Sequence, residues 1–79
     1  MMTGDDVRKA RATLGMMWGF DRPLHRSELG RALRLTSRDP GEAVETWERK
    51  APTGPASVAI ELFLAGAAPP DGLDAIRGK

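Results

Sequence analysis

Few side chains in this sequence can do covalent chemistry. His25 is the only histidine, Ser27, Ser37 and Ser57 are the only serines, and there is no cysteine. An acyl-transfer triad would need His25 in every arrangement. No cysteine, aspartate or second histidine stands at ligand spacing from His25, and no glycine-rich loop ending in Lys-Ser/Thr is present to cradle phosphate. These absences lead us to expect no catalytic residue, no metal and no cofactor, and hence not an enzyme. What remains is charge. Residues 1–38 carry eight basic groups (Arg8, Lys9, Arg11, Arg22, Arg26, Arg31, Arg34, Arg38) against four acids (Asp5, Asp6, Asp21, Glu28), a balance of +4. Residues 39–79 carry four (Arg49, Lys50, Arg77, Lys79) against seven (Asp39, Glu42, Glu45, Glu48, Glu61, Asp71, Asp74), a balance of −3. One half suits phosphate and the other resists it.

The elements that must position these charges centre on Leu29 to Lys50. Leu29, Ala32, Leu33 and Leu35 recur at helical spacing, with Arg31 and Arg34 on the other side, so a short amphipathic helix is expected. Thr36, Ser37, Asp39, Pro40 and Gly41 then break it, since Pro40 disfavours helical backbone at Asp39 and Gly41 permits almost any angle. The same cluster starts a second helix over about residues 40–50. Asp39 or Ser37 caps it, Pro40 takes its first position, and Glu42 complements the dipole. Ala43, Val44 and Trp47 face inward; Glu42, Glu45, Thr46 and Arg49 face outward.

Around this pair, Thr3 can cap a first helix that begins at Gly4 or Asp5 and buries Val7, Ala10, Leu14 and then Met17 or Trp18. Met16, Met17, Trp18 and Phe20 read either as core, with the segment to His25 folded back, or as a protein-binding surface. His25 or Ser27 caps the next helix. After a loop at residues 51–55, an apolar helix through Ala56, Val58, Ala59, Ile60, Leu62, Phe63 and Leu64 should pack on Val44 and Trp47, and its excess apolar surface suits a homodimer contact over residues 56–64. Gly66 and Pro69-Pro70 end it. Seventy-nine residues allow one small domain, here residues 1–66, with 67–79 a weakly structured tail that makes one turn around Leu73 and Ile76 or is disordered. The absence of cysteine suits a reducing cytoplasm, and the longest apolar stretch is too short to span a membrane, so no membrane association is expected.

The run Ser27-Glu28-Leu29-Gly30-Arg31-Ala32-Leu33, then Val44-x-x-Trp47-Glu48-Arg49, then Gly54-Pro55 and an apolar helix, resembles the lambda-repressor-like (Cro and Xre) helix-turn-helix family in its compact alphaproteobacterial and prophage form. The resemblance covers about residues 4–66. It implies an all-α, compact domain of four to five helices that regulates transcription by binding double-stranded DNA, with the helix at about residues 40–50 in the major groove. By the same resemblance Ser37, Arg38, Glu42, Ala43 and Thr46 reach base edges, Arg26, Arg31, Arg34 and Arg38 touch phosphates, and Arg11 pairs with Glu48. A dimer would read two half-sites about one helical turn apart.

The sequence departs from that family in two places. Several extra residues, Gly19 and Phe20 to His25, separate the first two helices. Asp39, Glu42, Glu45 and Glu48 stand at three-residue spacing where relatives usually carry basic or neutral side chains, and carboxylates facing phosphate oppose nonspecific affinity. The alternative this suggests is a phage or prophage protein-interaction module, such as an anti-CRISPR inhibitor, that docks Glu42 and Glu45 on a basic protein partner.

Overall fold

The computed structural model describes residues 2–35 and 38–77, and these are all helix, turn and loop. Five helices follow in order: α1 (Gly4–Met17), α2 (Arg26–Ala32), α3 (Pro40–Lys50), α4 (Gly54–Leu64) and α5 (Leu73–Ile76). Val7, Ala10 and Leu14 of α1 meet Leu29 and Ala32 of α2, Val44 of α3, Ile60 and Phe63 of α4 and Ile76 of α5 in one core, joined by Met2 and Leu24. Among the described residues, no helix is long and apolar enough to cross a membrane.

Capping decides where most of these helices begin. Thr3 Oγ1 accepts from the Asp6 amide at 3.2 Å, and the Asp6 carboxylate accepts from the Thr3 amide at 2.9 Å, a reciprocal box that also holds the Asp6 carboxyl below its usual range. Asp39 accepts from the Gly41 amide at 3.1 Å ahead of Pro40, and Thr53 Oγ1 accepts from Ala56 ahead of α4. The α2 helix stops earlier than its apolar spacing suggests. Leu33 is its cap, and Arg34 adopts a φ of +59°, a left-handed conformation that turns the chain before Leu35 can join the helix.

Close backbone approaches fix how α2 meets α3. A methyl group at Gly30 would collide with the Pro40 carbonyl, and one at Gly41 would lie 3.0 Å from the Ser27 amide nitrogen, so the two helices nearly touch at these glycines. The long α1–α2 link is folded back along α1. Phe20 and Leu24 donate backbone amides to the Gly15 and Arg11 carbonyls at 2.8 and 3.0 Å, and Arg11 Nη1 donates to the Leu24 carbonyl at 2.9 Å. Leu24 is thereby buried.

Three packing expectations are refined. Met16 and Met17 are exposed, because the helix carries them past the folded-back link; Trp18 and Phe20 are half-buried, Trp18 meeting Phe63 edge-on at 5.3 Å. The principal helix neighbour of α4 is α1, its Ile60 and Phe63 share with Val44 the core against which Trp47 also packs, and Trp47, Pro55, Ala56 and Ala59 line a trough of about 270 Å³. The segment after Gly66 packs on α2 through α5, with Ile76 only 1% exposed, so the core extends past residue 66. Ile76 and the partly buried Leu73 pack this four-residue helix onto the core, the kind of tertiary contact a helix so short depends on.

Candidate functional site

Glu48 sits at the junction of α1, α2 and α3 with its side chain 1% exposed. A buried carboxylate is costly unless hydrogen bonds replace its water. Here arginines from two helices replace it: Arg11 Nε donates to Oε2 at 2.8 Å, and Arg26 donates to Oε1 through Nη2 at 2.9 Å and Nε at 3.1 Å. Arg8 stands 3.5 Å away as a third cation and pairs with Asp5 at 2.8 Å. The hydrogen bond to Glu48 raises the Arg26 pKa further above its ordinary value. The Arg11–Glu48 pair is therefore present, with Arg26 added to it.

Beside this cluster, a groove of about 390 Å³ is lined by the start of α2 (His25, Arg26, Ser27), by Arg11, and by Asp39, Gly41, Glu42 and Glu45 at the start of α3. Its charges are partly compensated. Glu45 lies 3.8 Å from Arg26, Asp39 is committed to capping, and Glu48 is buried in the arginine cluster. Glu42 has no ion-pair partner among the described residues, and neither do the exposed Arg38, Arg49 and Lys50. Gly41, Val44 and Glu48 form the buried edge of α3, leaving Glu42, Glu45, Arg49 and Lys50 exposed and Ala43 and Thr46 half-buried. Thr46 Oγ1 donates to the Glu42 carbonyl at 3.1 Å, which occupies its hydroxyl proton within the helix.

The expected contact residues thus fall into two groups. Arg26, Glu42 and Glu45 share the groove, with Ala43 and Thr46 on the same helix and Arg38 just before it. Arg31 and Arg34 are engaged elsewhere. Arg31 Nη1 donates to the Ile76 carbonyl, and Arg34 grips both oxygens of Asp71 at 2.8 to 3.1 Å. Ser37, also expected to contact DNA, lies outside the described residues. Among those described, no group of three or more histidine, aspartate or glutamate side chains is placed to hold a metal ion.

Sequence reading missed the Arg22–Glu28 pair. Glu28 is buried, its two oxygens accept from Arg22 Nη1 and Nη2 at 2.9 Å each, and Oε1 accepts from the His25 amide at 2.7 Å. These bonds, led by Arg22, hold its carboxyl below the usual glutamate range against the opposing effect of burial. The available signal was Glu28 three residues after the cap at His25, a capping-box position. No family model, no curated protein and no solved structure matches this chain.

Proposed function

We propose that this protein is a small helix-turn-helix regulator that binds double-stranded DNA with the outer face of α3, using α2 as the supporting helix. One observation carries the reading: around that outer face Arg38, Arg49 and Lys50 have no ion-pair partner among the described residues, whereas Glu42 is the one α3 acid likewise without one. The acidic repeat of α3 therefore opposes phosphate less than its sequence suggests. Arg26 can turn to a phosphate because Arg11 remains on Glu48. Arg38 has the fork to read guanine, and Glu42 can accept from the cytosine amino group. In this reading Arg49 and Lys50 take the phosphate roles that resemblance gives to Arg31 and Arg34, both held by the C-terminal segment.

A second reading rests on that same withdrawal. With Arg31 and Arg34 occupied, a protein partner with a basic surface meeting Glu42 and Glu45 is the competing role. Fluorescence anisotropy with a random duplex and with the DNA upstream of its own gene, over a salt series, separates the two. Tighter binding to the upstream duplex with a negative salt slope supports the regulator, and Arg26→Gln should reduce that slope by about one. Absence of binding at low salt, with the double variant Glu42→Lys, Glu45→Lys equally inert, overturns it.

A further inference from the structure

A separate concavity lies between the C-terminal end of α2, one flank of α4 and the segment 67–70. It holds about 290 Å³, and is roughly twice the size of an apolar cavity that takes up a benzene ring. Leu33, Ala59, Leu62, Phe63 and Pro70 give it an apolar wall, and Arg34 is the one charged side chain lining it among the described residues. Such a surface, apolar with a single polar anchor, is the composition of a small-molecule site.

The anchor indicates what kind of molecule. Arg34 presents Nε and Nη2 to both oxygens of Asp71 at 2.8 to 3.1 Å, so its guanidinium is already arranged for a carboxylate. That carboxylate follows Pro70 directly, in the segment that closes one side of the concavity. Both side chains are well exposed, 62% for Arg34 and 43% for Asp71, and an exposed pair exchanges its partner at small cost. The side of the concavity formed by Ala67, Ala68 and Pro70 runs between Gly66 and Gly72, whose φ values of +113° and +84° only glycine adopts easily.

We propose that this pocket binds a small aliphatic or aromatic carboxylic acid, its chain on the apolar wall and its carboxylate on Arg34 in place of Asp71. The site uses none of the α3 face, so it stands or falls apart from the DNA reading. The test is a titration of the isotope-labelled full chain, followed by amide chemical shifts, with octanoate, octanamide and octylammonium as probes. Octanoate should give saturable shifts at Leu33, Ala59, Phe63 and Asp71, more tightly than octanamide, and octylammonium should bind weakest. Asp71→Asn removes the competing acid and should tighten octanoate by about two- to fivefold, the range of an exposed ion pair, with octanamide unchanged. Arg34→Gln should make the two probes equal. Equal affinity of octanoate and octanamide for the unaltered chain overturns the proposal, as does a lack of saturable shifts. If raising protein concentration alone reproduces the octanoate shifts, the face belongs to a second copy and the ligand assignment fails.

Discussion

Arg11 and Glu48 are 37 residues apart in the chain, as are Arg34 and Asp71, and each pair closes to 2.8 Å. Their surroundings differ sharply. Glu48 is 1% exposed and shared with Arg26, whereas the Arg34 and Asp71 side chains are 62% and 43% exposed and, among the described residues, form ion pairs only with each other. Contact distance therefore says little about what such a pair does. Desolvation decides it: the buried carboxylate organises three helices, while the exposed pair ties down a segment without determining the fold.

The strongest way to break this contrast is Glu48→Ala. Removing the acceptor leaves half-buried Arg11 facing no carboxylate, and we expect a loss of about 3 kcal/mol in urea unfolding. That is a large share of what a small domain has, and a loss under about 1 kcal/mol would place the pair with the surface contacts. Glu28 sharpens the comparison through pH. Its carboxyl is held low in the folded chain, so the unfolded chain takes up the proton more readily. Its stabilisation is present at neutral pH and is lost as pH falls through the ordinary glutamate value, about 4.3, toward the folded one. Glu28→Gln should cost about 1 to 2 kcal/mol at pH 7 and flatten the acid limb of the stability curve; an unchanged limb would mean that another carboxylate governs it. The smallest effect belongs to Asp71→Asn, which should leave the midpoint of the same urea experiment close to that of the unaltered chain. A loss as large as that of Glu48→Ala would abolish the distinction.

How much of this was legible in sequence depends on the range of the forces involved. The bounds of α1 and α3 follow from Thr3, Asp39 and Pro40, whose capping acts within a few residues. The Arg11–Glu48 pair was reached through family resemblance, since nothing local connects two charges on separate helices. A turn around Leu73 and Ile76 was one of two readings of the tail, but the docking of Ile76 was not legible, because its burial depends on α2. Similarly, the approach of the Arg22 carbonyl to Gly15 arises only once the link folds back. The division of the arginines follows from that C-terminal packing. Arg31 and Arg26 look alike as cations in sequence, yet one meets a backbone carbonyl of α5 and the other a buried acid.

The folded-back link also bears on the order in which the molecule assembles. Its Arg11-to-Leu24 contact closes a span of 13 residues, whereas the Arg31-to-Ile76 contact closes one of 45. Shorter loops cost less chain entropy to form, so α1 and its link should organise early and the C-terminal segment should be the last to attach. The reverse path then begins at that segment. In native-state hydrogen exchange the Arg77 amide, bonded to the Leu73 carbonyl, should open at lower free energy than the Leu24 amide, giving this small chain two steps of cooperativity where its size alone would suggest one.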